Sequence, residues 1–214
     1  MDAAFPRYHT TVGAASLVVG PALMSIGDLM HPAETWVSAT QVAIVAQATT
    51  RWYAAHLLLF IGMLLLIPGI LAITRLARDR KVKASYVARV LMLAGAGTLL
   101  AVFVGEMMLG RFVSRANDQA IGVMFLDTFM SPAIFGALGP GLIAFFVGTG
   151  ILVKLLSSPT DPFRWPALLF GLGALLILGE IISAQVLLSQ IGNVVIFVAG
   201  VAFARQLVRI RGMS

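Results

Sequence analysis

Long apolar runs separated by short polar ones dominate the chain, and their spacing predicts six helices that cross a membrane. About 20 apolar residues rising 1.5 Å each span the roughly 30 Å hydrocarbon core of a bilayer. Windows of that kind run from Thr10 to Leu29, Ala54 to Ile73, Val87 to Gly110, Pro132 to Leu155, Pro166 to Leu188 and Ile191 to Val208. The second and fourth connections, ARDRKVKAS and SSPTDPFRW, are short and hydrophilic. The first, Met30 to Tyr53, and the third, Arg111 to Ser131, are longer. They contain WVSATQVAIVAQA and AIGVMFLDTFM, which are too short to span and too apolar to float in water. Both read as interfacial or re-entrant helices lying over the bundle, either as lids or simply packed at headgroup level.

Breakers mark a few places inside the runs. Pro21, Pro68 and Pro140 fall within spans, and Leu138-Gly139-Pro140-Gly141 is a place where the backbone ladder could open. Ser131-Pro132 has the form of an N-cap followed by proline at the first helical position. Glycines in the fourth span allow close helix contact. No internal repeat is visible, so an inverted-repeat transporter gains no support. The whole chain, 1–214, reads as one all-α, polytopic transmembrane domain.

Composition agrees with that reading: 59% of residues are hydrophobic and only 11% charged, against about 25% charged in soluble domains. The absence of cysteine excludes disulfides, thiolate metal sites and thiol nucleophiles. No phosphate loop or dinucleotide fingerprint is present. Nor is there an aspartate-rich run of the kind that binds diphosphates through Mg²⁺. A pI near 10.5 raises the question of nucleic acid, but topology accounts for the basic residues. Twelve of the 15 Lys and Arg fall on the side of the N-terminus, the second and fourth connections and the C-terminus; Arg51, Arg111 and Arg115 fall on the other. Basic residues collect on the cytoplasmic side, which places both termini there and the protein in the cytoplasmic membrane. No separate cleavable leader is visible, so the first span is expected to act as its own signal.

Acids divide the opposite way. Asp2, Asp79 and Asp161 belong inside, whereas Asp28, Glu34, Glu106, Asp118, Asp127 and Glu180 belong to the outer side or the outer half of a span, together with His31 and His56. Glu180, in the run PALLFGLGALLILGEIISAQVLL, shares a helical stripe with Gly173, Ile177 and Ser183 that is suited to the inside of a bundle. An acid at that depth is a functional-site hypothesis that requires partners.

The candidate catalytic groups are Glu180, Glu106, Asp28, His31 and His56. Trp52, Phe60, Phe103, Asp127 and Asn193 are candidates for substrate contact. Carboxyl groups in a poorly hydrated site can hold their protons at neutral pH and act as acids, and aromatic faces can steady a cation. Helix caps and an interfacial aromatic belt are the competing explanations for the residues at span ends. No cofactor is expected; a divalent ion on Asp28, His31, His56 and a glutamate is a secondary reading, since imidazole and carboxylate are usual ligands. A proton relay coupled to transport is another. The expected partners are the bilayer and a lipophilic small molecule.

Two resemblances follow. The elements D-L-M-H-P, R-W-Y-A-A-H-L-L-L-F and L-L-L-I-P-G-I-L between Asp28 and Ile73, with His31, Pro32, Trp52 and His56, resemble a group of small actinobacterial membrane proteins. That resemblance implies a multi-pass build and no particular chemistry. In size, helical build and isolated intramembrane acids, the chain is also similar to the membrane-integral terpene cyclases that make meroterpenoids and indole sesquiterpenoids. This second likeness implies protonation of an alkene or epoxide by an acidic residue, and it transfers no individual residue.

Overall fold

The computed structural model describes residues 7–116 and 119–211; Asp2 and Asp118 lie outside them. Eight α-helices follow in order: α1 (Arg7–Met30), α2 (Ser38–Gln47), α3 (Thr49–Leu76), α4 (Val82–Ala116), α5 (Gln119–Phe129), α6 (Pro132–Leu156), α7 (Arg164–Ser183) and α8 (Val186–Arg211). A single 3₁₀ turn, Ala77–Asp79, precedes α4. Six of them, α1, α3, α4, α6, α7 and α8, are long and apolar enough to cross a membrane. The protein is a multi-pass, all-α membrane bundle. The short helices α2 and α5 occupy the two long connections and pack against each other and against α4.

The fifth span differs from the expected Pro166 to Leu188. Helix α7 stops at Ser183, and Ala184 takes a left-handed conformation with φ of 53°. Its amide donates to the Glu180 carbonyl, closing the last turn. The apolar residues Val186 to Leu188 belong to α8, so hydropathy alone runs two helices together across a two-residue corner. Glu180 is consequently in the last turn of α7 and not deep within a span. Pro21, Pro68 and Pro140 all lie inside continuous helices, and α6 runs on through Leu138 to Gly141 although Pro140 has no amide for the Gly136 carbonyl. The Ser131 hydroxyl does accept from the Ile134 amide, at 3.5 Å.

The spans form a closed ring in which α1 touches α3 and α8, α3 touches α4, α4 touches α6, and α7 packs on α8. Among neighbours in the ring, α6 and α7 are the most loosely packed. Because lipid tails are as apolar as leucine, contact between helices depends on close packing and not on escape from water. Two glycine pairs supply it. A Cβ on Gly20 would stand 2.8 Å from the Gly62 carbonyl oxygen, and one on Gly62 would stand 2.7 Å from that of Gly20. Gly173 and Gly192 are matched in the same way across α7 and α8, at 2.6 and 2.8 Å. The first pair brings Asp28 of α1 toward His56 of α3; the second brings Glu180 of α7 toward Asn193 of α8.

At one end the ring is filled. Ile70, Ile73, Leu152, Leu156, Phe163, Phe170 and Phe203 are buried in one continuous core. Arg80 of the second connection donates to Asp161 of the fourth at 2.8 and 3.0 Å, tying the two predicted cytoplasmic connections together. At the other end a smaller core of Val42, Val45, Trp52, Leu109, Val113 and Leu126 fastens α2 and α5 over the bundle.

Gly62→Val is expected to lower stability by about 1–3 kcal/mol through overpacking. Gly139→Ala, where nothing lies within 4 Å of the new Cβ, should leave it unchanged. Thermal unfolding of the two variants in detergent checks the contrast, and equal effects would contradict the packing account.

Candidate functional site

Between the filled end and the α2–α5 cover lies a cavity of about 230 Å³, far more than one water requires. All eight α-helices contribute to its wall. The lower wall is apolar, with Met63, Leu66, Leu99, Leu142, Phe145, Phe146 and Ile196. The upper wall carries Asp28, His31, Glu34, Gln41, His56, Glu106, Glu180, Ser189 and Asn193. Among the described residues no Lys or Arg lines it.

The polar groups form a connected network built from sequence-local devices. Asp28 ends α1 and receives a 2.6 Å hydrogen bond from Asn193 Nδ2, while Gln190 Nε2 donates to its carbonyl at 3.0 Å. His31 follows the helix end, its amide bonded back to the Asp28 carbonyl. Its Nδ1 donates to the Pro32 carbonyl at 2.8 Å. One turn into α3, His56 Nδ1 donates to the Trp52 carbonyl at 2.9 Å. With both Nδ1 atoms so used, the two Nε2 atoms face each other at 3.3 Å. Glu34 Oε1 is also 3.3 Å from His31 Nε2, and the Glu34 and Glu180 carboxyls lie within interacting distance of each other. Two carboxyls so close can hydrogen-bond only if one carries a proton. The network therefore runs from α7 through the first connection to His31, and the His56 acceptor of α3 faces it without a proton between the two rings.

Trp52 holds these parts in place. Its indole N–H donates to the Glu106 carbonyl of α4 at 2.7 Å, and its ring lies 4.4 Å from that of His56 and 4.8 Å from that of His31 between centroids. Arg51 caps the assembly from outside by donating to the Met30 and His31 carbonyls. Two buried polar atoms in the cavity wall have no protein partner, the Gln41 Nε2 donor and the Asn193 Oδ1 acceptor. A buried group of that kind is costly unless something else meets it.

Burial raises Glu34 to about 7, and the Glu106 and Asp28 carboxyls push the same way, while its bond with Glu180 opposes. Burial also lowers His31, with Arg51 acting in the same direction against the Pro32 carbonyl and the Asp28 and Glu180 carboxyls. Near neutral pH the proton of this network is thus held on the acid, and the imidazole is a neutral acceptor.

The structure brings together all five candidate acid–base groups, Glu180, Glu106, Asp28, His31 and His56, together with Trp52, Phe103 and Asn193. It does not bring in Phe60 or Asp127. The inward stripe of α3 is Trp52, His56, Leu59 and Met63, and Phe60 lies just beyond it. On α5 the inward residues are Gly122 and Leu126, with Asp127 exposed beside them. Glu34 and Gln41 are the residues that sequence reasoning left out of the site. Glu34 sits in a non-helical connection where periodicity says nothing, although its spacing of three from His31, as His31 is from Asp28, is a readable signal. Among the described residues no group of three or more His, Asp or Glu is arranged to hold a metal ion.

Compared with known proteins, the chain matches no family model, no curated protein and no solved structure.

The sign of the pH effect follows from Glu34. Its folded value, near 7, lies above the ordinary carboxylate value of 4.5, so between these values the folded protein holds more proton than the unfolded chain. Its contribution to stability is present below about 4.5 and is lost as pH rises toward 7. Glu34→Gln should therefore gain stability relative to wild type as pH rises through that window and track it above. Melting curves of both proteins at a series of pH values test this; parallel profiles would contradict it.

Proposed function

We propose that the protein is a membrane-embedded enzyme that uses buried carboxyl groups for acid catalysis on an isoprenoid or lipid-like molecule. The observation that carries this reading is the placement of the Glu180–Glu34–His31–His56 network at one end of a cavity whose remaining wall is apolar. Ligand sites combine mostly apolar walls with a few convergent polar groups. Here those groups are proton carriers. A lipophile would lie along Met63, Leu66, Leu142 and Phe146 with its reactive end at the acids.

In this reading Glu180 or Glu106 donates the proton. Asp28, held by Asn193, together with His31 and His56 orients the donor and returns the proton, and Glu34 links donor to imidazole. A general acid contributes about 10²–10⁴-fold to rate when it lies within hydrogen-bond reach of the reacting atom. The terpene-cyclase-like design supposed from sequence is of this type. With the basic rim taken as cytoplasmic, the site opens at the outer face of the cytoplasmic membrane. Proton-coupled transport would use the same groups but needs a route through the other half. The packed core of Ile70, Ile73, Phe170 and Phe203 beneath the cavity speaks for a pocket that is entered and left on one side.

Mass spectrometry of lipophilic molecules that co-purify with wild type and with Glu180→Gln tests the proposal, because Gln keeps the shape and the bond to Glu34 but cannot donate the proton of a carboxylic acid. The expected result is an unconverted molecule enriched in the variant, with turnover reduced about 10²-fold or more. The same molecules in both, with unchanged turnover once a substrate is in hand, would overturn it.

A further inference from the structure

We infer that the cavity selects a lipophilic organic cation, an ammonium or phosphonium centre on an apolar body, and that such a ligand enters in exchange for a proton of the carboxyl network. The inference shares with the proposed function only the reading of the cavity as a ligand site, because a cation that displaces the proton of the network cannot also be protonated by it. Asp28, Glu34, Glu106 and Glu180 arrive from four different elements and face one space. Four carboxyls and no Lys or Arg in the wall give that space a single sign. An anionic headgroup such as phosphate, sulfate or carboxylate would meet like charge without a counter-ion.

The other titratable and charged groups near the network are few. His31 and His56 face it with neutral acceptor nitrogens, Arg51 is engaged at the rim with the Met30 and His31 carbonyls, and Asp127 points away. From α6 and α8 the wall has no ionisable side chain. Aromatic faces complete the chemistry: Trp52 lies beside the acids, with Phe103 and Phe129 also in the wall. A desolvated cation over such faces is attracted by the ring electrons in addition to the carboxylates. The two unpartnered wall atoms, the Gln41 Nε2 donor and the Asn193 Oδ1 acceptor, are of opposite polarity and add no preference of their own.

Exchange follows from charge balance. Carboxyls that face one apolar space hold a proton among them to limit like-charge repulsion, and a bound cation takes over the role of that proton. One proton is released for each cation bound, and total charge in the pocket is unchanged. An apolar cation can arrive from the lipid phase, where α6 and α7 are loosely packed.

The test compares tetraphenylphosphonium with tetraphenylborate, ions of the same shape and opposite charge, binding to the full-length protein in nanodiscs with empty discs subtracted. The phosphonium should bind saturably and roughly tenfold or more tighter than the borate. Its affinity should rise with pH through neutrality, with about one proton released per ion in weakly buffered solution. Glu34→Gln and Glu180→Gln should each weaken it, and Asp127→Asn should not. Equal affinity for the two ions, preference for the borate, or phosphonium binding indifferent to pH would overturn the inference using wild-type protein alone, whether or not a variant folds. Phosphonium selectivity with no chemical conversion ever detected would leave this inference standing and count against acid catalysis. Conversion of a neutral lipophile without charge selectivity would do the reverse.

Discussion

A carboxyl group in a poorly hydrated cavity has little water to solvate it, so the protein must surround it with its own polar groups or leave it protonated. This constraint explains more of the molecule than any single packing contact. Asp28, Glu106 and Glu180 lie on three different helices, and none is satisfied by its own helix. Asp28 is satisfied by Asn193 and Glu180 by Glu34, each supplied from another element. The bundle therefore has to close with some accuracy at one level, and the glycine contacts are what permit it. Gly20 against Gly62 and Gly173 against Gly192 let two helix pairs meet backbone to backbone, and the partnered acids lie near these contacts.

The cover formed by α2 and α5 belongs to the same account. Without it the upper wall would be open to water, and Glu34 would behave as an ordinary surface glutamate. With Gln41, Val42 and Val45 buried beneath α2 and Leu126 beneath α5, the space over the acids is partly closed and its dielectric is lowered. Electrostatic interactions inside strengthen accordingly. Trp52 links cover, histidines and α4 at once, since its ring packs on both imidazoles and its N–H reaches the Glu106 carbonyl. Fold and site are coupled through that residue.

Much of this is legible in the sequence, because bilayer thickness converts directly into lengths of apolar runs. The six spans, the two short outer helices and the gathering of acids and histidines toward one end all follow from hydropathy and charge. The corner at Ala184 is not legible, since an apolar run carries no mark of where the chain reverses when the turn is only two residues long. Side-chain direction within a turn is equally hidden: Phe60 and Asp127 differ from true wall residues by one position, and both are apolar or polar in the expected way. Glu34 carries only a partial signal, its spacing of three from His31, and Gln41 carries none. Their place depends on how a connection folds back over the bundle, which is a tertiary fact without periodicity. His31 and His56 could be proposed as neighbours, but the opposition of their Nε2 atoms requires both Nδ1 bonds to be known.

A proton held among half-buried carboxyls at neutral pH is what the chemistry of the site depends on. Infrared difference spectroscopy of the protein in nanodiscs, with glutamate carboxyls carrying ¹³C, observes that proton directly. A protonated-carboxyl band is expected near pH 7 that shifts in Glu34→Gln and weakens in Glu180→Gln. Fully ionised glutamates at that pH, with no such band in the wild type, would contradict it.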